Sequence, residues 1–196
     1  MKLIVITPSK NIENEHQILG MMLDMGLPTL HVRKPTLSKA NLKNYLNEFT
    51  KSHQKKIIIH THYNLVWHFR LKGIHVSKKE RRRKFKLLLT KASLRLRKLK
   101  FTIGTSCKSL SSLHETYKDF NYIVLSPVFT DPHGHRPSFN SGTLKRIIPT
   151  YPGKVIAHGG STADSIAKAK EMGFVGIAFQ GYLWNSSQPL ALFKNI

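Results

Sequence analysis

The stretch from Val155 to Gly181, VIAHGGSTADSIAKAKEMGFVGIAFQG, constrains the fold more than any other part of the chain, because it reads as a complete βαβ unit. Val155, Ile156 and Ala157 form the short apolar run of a parallel strand covered on both faces, and Gly159-Gly160 removes side chains where the chain must turn. Ser161 stands where an N-cap belongs. Asp164 follows in a capping-box pattern, and Ile166, Ala169 and Met172 give the next helix an apolar side. Phe174 to Phe179 returns to strand, and Gln180-Gly181 supplies a second open glycine turn. Two glycine turns with a helix start behind them suit a phosphate, and equally describe an ordinary βα turn that binds nothing.

The same alternation runs through the whole sequence. Strands are predicted at Leu3–Ile6, Leu30–Arg33, Lys56–Ile59, Ile74–Val76, Phe101–Gly104 and Tyr122–Leu125, ahead of the two strands already described. Helices are predicted at Asn14–Met25, Thr36–Ser52, Asn64–Leu71, Gly142–Ile148 and Gln188–Phe193, with another capped by Ser109. No linker or composition break interrupts the 196 residues, so residues 1–196 are expected to be one α/β domain, a (β/α)8 TIM barrel. An open doubly wound sheet is the alternative, since closure is not written in local pattern.

Composition narrows the function classes. The chain is 40% hydrophobic, enough for a sizeable core, and no apolar run approaches the length of a membrane span. The N-terminus enters a strand directly and shows no cleavage-site pattern, and the single cysteine, Cys107, fits a reducing compartment. A cytoplasmic protein without a membrane partner is expected. Thirty-two Lys+Arg against 10 Asp+Glu give a formal charge of +22, concentrated between Lys78 and Lys100. Interleaved leucines make that segment an outer helix with a solvated face, and the competing polyanion reading finds no nucleic-acid motif in it.

In a barrel of this kind the active site lies at the C-terminal strand ends, with phosphates held after strands seven and eight. Those ends present Thr7, Arg33 and Lys34, His60 with Thr61 and His62, His75 with Ser77 and Glu80, Thr105 with Ser106, Ser126 with Thr130, His158 to Ser161, and Gln180-Gly181. His60 and His62, two apart, would share one strand face and suit either hydrogen bonding or a transition metal. Cys107 reads as a buried inert thiol, and His158 as an acid-base group or a polar wall.

HVRKP at 31–35, GIHVSKKE at 73–80, IGTSCKSL at 103–110, YIVLSPVFTDP at 122–132, VIAHGGST at 155–162 and GIAFQG at 176–181 resemble, in order, the strand-end motifs of thiamine phosphate synthases. The thiazole tautomerases share that scaffold. The resemblance implies a (β/α)8 enzyme that couples hydroxymethylpyrimidine diphosphate to thiazole phosphate and releases pyrophosphate. It places Arg33 and Lys34 on pyrophosphate, Gly159, Gly160, Ser161, Gln180 and Gly181 around the thiazole phosphate, and Ser106 at a hydroxyl position after strand five. His31, His60, Ser126 and His158 line the substrate pocket, and Mg2+ falls to Glu80. The implied partners are small phosphorylated thiamine precursors, and a homodimer is left open.

The sequence also departs from the family pattern. His60-Thr61 replaces the usual Asn-Asp, Asp131-Pro132-His133-Gly134 replaces a Thr-x-Thr-Lys loop, and His31 stands where a Gln is common. Three readings follow: the transferase, a degenerate phosphate-binding regulator or tautomerase-like protein, and a polyanion binder acting through residues 78–100.

Overall fold

A computed structural model describes residues 1–82, 101–130 and 136–196, with the backbone alone for 82 and 115–117. Eight parallel strands follow one another around a closed barrel: β1 Lys2–Ile6, β2 Leu30–Val32, β3 Ile57–Ile59, β4 Gly73–Val76, β5 Thr102–Cys107, β6 Tyr122–Leu125, β7 Val155–His158 and β8 Gly176–Phe179. β1 closes the ring against β8, with Ile4 beside Ala178 and Val5 beside Phe179. Closure removes every sheet edge and settles the choice against an open sheet.

Side chains alternate across each strand. Val5, Leu30, Val32, Ile57, Ile59, Ile74, Val76, Leu125 and Ala157 pack outward into the layer shared with the helices. Their neighbours Ile4, Ile6, Ile58, Val124, Ile156 and Ala178 fill the lumen with Tyr122. Period-two alternation therefore sends His31, between Leu30 and Val32, and His75, between Ile74 and Val76, into the barrel interior.

The helical layer differs from the sequence reading at several points. The span expected as one helix, 36–52, is two: Lys39–Asn47, capped by Ser38, and Lys51–Gln54, capped by Thr50 Oγ1, which accepts from His53 N at 3.2 Å. The helix expected at 64–71 is a shorter 3-10 helix at Tyr63–Trp67, and an unexpected short helix at Gly181–Trp184 follows β8. β5 runs to Cys107, three residues past its expected end at Gly104. Ser161 does not cap the helix after β7. An intervening turn, with Ser165 N donating to Thr162 O at 3.0 Å, delays that helix to Ser165–Glu171, and Asp164 makes no side-chain cap bond. Lys78–Arg82 is helical, while the rest of the basic segment and the Asp131–Gly134 loop lie outside the described residues. Among the described residues no helix is long and apolar enough to cross a membrane.

Candidate functional site

Among the described residues, two cavities on different arcs of the barrel mouth take in the expected site residues at the C-terminal strand ends. The larger, about 770 Å³, is lined by Arg33 after β2, His60 to Asn64 after β3, and Ser77 and Glu80 after β4. Arg33 is exposed there, with its backbone N–H fixed by Thr7 Oγ1 at 2.9 Å and Nη1 donating to Ser9 Oγ at 2.7 Å. Glu80 is the one carboxylate among the described residues lining this cavity.

Lys34 is not in the mouth. Adjacent residues on an extended chain point to opposite sides, so the residue beside Arg33 turns inward beneath the first helix. Its side chain is buried, Nζ donating to Glu15 Oε2 at 2.6 Å and to Lys10 O at 3.0 Å. Tyr45 Oη donates to the other Glu15 oxygen at 2.5 Å, and burial together with that carboxylate pushes the phenol upward out of its normal range. The pairing of Lys34 with pyrophosphate is thereby corrected: a buried ion pair holds the lysine in the wall.

The second cavity, about 440 Å³, is lined by His158 to Ser161 after β7, and by Gln180, Gly181, Tyr182, Asn185 and Ser186 after β8. Gly159 and Gly160 hold φ of 87° and 68°, a left-handed backbone that favours glycine. A Cβ on Gly160 would stand 2.4 Å from Phe129 O, and one on Gly159 2.8 Å from Pro127 Cα, so the turn also packs against the loop after β6. Gln180 is anchored, its Nε2 donating to Thr7 O at 2.9 Å. Ser161 Oγ is buried and has no hydrogen-bond partner among the described residues. An unsatisfied buried hydroxyl costs about 1–3 kcal/mol unless something meets it.

The lumen beneath the mouth is polar. His31 is buried beneath the mouth and not placed at its rim, and its Nδ1 meets His60 Nε2 at 3.1 Å while its Nε2 meets Tyr122 Oη at 3.0 Å. His75 Nδ1 lies 3.3 Å from the same phenol, and its Nε2 lies 2.7 Å from Ser106 Oγ. His158 Nδ1 pairs with Ser126 Oγ at 3.2 Å. Burial lowers the pKa of all four histidines, to about 3 for His75 and about 4 for His158, so each is neutral near pH 7. The sequence reading placed His75 at the end of its strand without giving it a role, and it did not single out Tyr122 as a site residue, although outward-facing Ile74 and Val76 mark His75 as an inward position.

His60 and His62 do not share a face. The chain leaves β3 at Ile59, and His62 adopts φ 50°, which directs Nε2 to Leu37 O at 2.9 Å. Ligating nitrogens of His31, His60 and His75 do lie within 4.8 Å of one another. Yet the His60 and His75 rings are stacked at 4.4 Å with 17° between planes. An imidazole lone pair lies in its ring plane, so near-parallel stacked rings do not aim at a common ion, and the trio fits hydrogen bonding better than a metal. Cys107 is buried, its Sγ–H donating to Ser112 O at 3.4 Å and its sulfur accepting from Arg81 Nη1 at 3.4 Å.

The sequence model of the family described as thiamine monophosphate synthase matches residues 3–181. Among solved structures, thiamine phosphate pyrophosphorylase from Bacteroides thetaiotaomicron superposes with a TM-score of 0.78 at 23% identity, covering 100% of this chain and 95% of that one. The thiamine phosphate pyrophosphorylase from Pyrococcus furiosus gives 0.78 at 16% identity, covering 99% and 92%. A 3-hexulose-6-phosphate synthase gives 0.70 at 11%, covering 100% and 97%, so at these identities the superpositions speak for the barrel alone. No curated protein sequence is significantly similar. With the family's sequence pattern spanning nearly all of a closed eight-stranded barrel, the chain belongs to the thiamine monophosphate synthase family.

Proposed function

We propose that the protein is a transferase of the thiamine phosphate synthase type, joining a hydroxymethylpyrimidine diphosphate to a thiazole phosphate with loss of pyrophosphate. The observation that carries this reading is Ser161. Among the described residues its buried hydroxyl has no partner, and the N–H groups of Gly160 and Ser161 in the same glycine turn make no backbone bond. A phosphate oxygen is the acceptor that satisfies all three donors together.

The larger cavity suits the second substrate. Arg33 supplies the charge-assisted contact that a departing pyrophosphate needs, and a cation at that position stabilises charge as it develops. Magnesium, the cofactor implied by the family, is held through one or two carboxylates plus substrate phosphate oxygens. Glu80 with a diphosphate meets that pattern, whereas the neutral histidines of the lumen do not. When bound, the ion would neutralise the leaving group. Arg33, His60 and Thr61 orient the diphosphate against it.

The test incubates purified protein with magnesium, hydroxymethylpyrimidine diphosphate and thiazole phosphate. Thiamine phosphate and pyrophosphate are expected in equal amounts, and Arg33→Ala should raise the barrier by about 2–4 kcal/mol. Absence of product at high enzyme concentration beside an active control overturns the transferase. Magnesium-independent binding of thiazole phosphate, measured by calorimetry in the same sample, would then leave a phosphate-binding regulator or an isomerase. Binding at neither cavity would remove the small-phosphate reading as well.

A further inference from the structure

We propose that His60, His31, Tyr122, His75 and Ser106 form a proton wire through the barrel lumen, carrying a proton between the Arg33 cavity and the end of β5. Four hydrogen bonds link the five groups in a single file: His60 Nε2 to His31 Nδ1 at 3.1 Å, His31 Nε2 to Tyr122 Oη at 3.0 Å, Tyr122 Oη to His75 Nδ1 at 3.3 Å, and His75 Nε2 to Ser106 Oγ at 2.7 Å. His60 lines the cavity, and its Nδ1 has no protein partner among the described residues.

Counting protons fixes how the file can operate. Each neutral imidazole carries one N–H and each hydroxyl one O–H. If His60 donates from Nε2, then His31 must donate from Nε2, Tyr122 must donate to His75 Nδ1, and His75 must donate from Nε2 to Ser106. The reverse sense puts the proton on Nδ1 of all three histidines. A mixed set either breaks a bond or has His31 and His75 both donate to Tyr122 Oη, which strands the phenol O–H without an acceptor in a lumen where an unmade bond is costly.

Switching from the first sense to the second balances without a stored charge. His60 Nδ1 takes a proton from a bound weak acid, and its Nε2 proton passes to His31 Nδ1. The His31 Nε2 proton passes to Tyr122, the Tyr122 proton to His75 Nδ1, and the His75 Nε2 proton to Ser106. Ser106, half-buried at the end of β5, passes its own proton to a solvent water as it receives the one from His75. Four bonds to hydrogen within the file are exchanged, one proton enters, one leaves, and every histidine ends neutral. Burial, which lowers the pKa of these rings, favours this route over one that leaves an imidazolium inside. The transferase reading uses only His60, as a wall of the diphosphate cavity, and none of the groups behind it, so the coupling of His60 to Ser106 stands apart from that reading.

Nitrogen-15 spectra of histidine-labelled protein at neutral pH test it. His31, His60 and His75 should show one shared tautomer sense. Ser106→Ala, at one end, should shift the tautomer ratio of His60 at the other, and the shift should vanish in a Tyr122→Phe background, which keeps the ring and removes only the hydroxyl. Unlike tautomers in the unmodified protein overturn the wire, as does a Ser106→Ala effect on His60 that survives Tyr122→Phe.

Discussion

Tyr122 occupies the space that a side chain on Gly104 would need: a Cβ there would stand 2.0 Å from Tyr122 Cζ and 2.4 Å from its hydroxyl. Gly104 is in register with His75 on one side and with Tyr122 on the other. The missing side chain is what lets a phenol on β6 reach a histidine on β4 across the strand between them.

Gly104→Ala should therefore do two things. Overpacking a filled lumen costs about 1–3 kcal/mol, read as a lowered urea midpoint. Displacement of the phenol should also uncouple His31 from His75 in nitrogen-15 spectra. Unchanged spectra with full stability would mean that the lumen has slack the structure does not show.

Neighbouring cations at the end of β2 should behave differently. Lys34→Ala leaves the Glu15 carboxylate buried opposite Tyr45 without its cation, a loss of about 3–5 kcal/mol. Arg33→Ala removes an exposed side chain and should stay within about 0.5 kcal/mol of the parent. Equal stability losses for the two variants in denaturant unfolding would contradict the assignment of Lys34 to the wall.

This pair marks where sequence reading stops. Adjacent positions in HVRKP look alike as charges, and only the partner Glu15, nineteen residues upstream, tells which one is buried. The barrel itself was legible, because alternating short apolar runs and helical patterns recur from Leu3 to Phe193. The glycine cradle was legible for the same local reason: Gly159 and Gly160 bear positive φ, as a tight turn demands. Ser161 was read as a cap and is not one, since a helix start one turn later is a matter of packing. The lumen cluster depends on register among five strands, so local pattern shows that His31 and His75 face inward but not that Tyr122 joins them.

Acid should weaken the fold through the same cluster. Burial foremost, then nearby cationic groups, lowers His75 from 6.5 to about 3 and His158 to about 4. The unfolded chain therefore binds protons below pH 6.5 that the folded chain refuses. The stability from neutral burial is complete above pH 6.5, is lost as pH falls, and is exhausted for His158 near pH 4 and for His75 near pH 3. Each such histidine steepens the decline by at most about 1.4 kcal/mol per pH unit. Urea midpoints between pH 7 and pH 4 should fall, and His75→Gln should flatten the slope. A slope identical in both proteins would place the acid sensitivity elsewhere.

The proposed phosphate site at the β7 turn is best tested against a glycine that shares its strain but not its surroundings. Gly160 and Gly26 both hold positive φ, 68° and 102°, so alanine at either pays a left-handed backbone cost of about 1–3 kcal/mol. A Cβ on Gly26 meets nothing within 4 Å, whereas one on Gly160 meets Phe129 O at 2.4 Å and must push the turn away from the loop after β6. Gly160→Ala should weaken inorganic phosphate binding at least about tenfold by calorimetry, because losing one hydrogen bond to a charged group is worth about 1.5–3 kcal/mol. Gly26→Ala should lower the unfolding midpoint while leaving phosphate affinity unchanged. Equal affinities in the two variants would move the anion site away from the β7 turn.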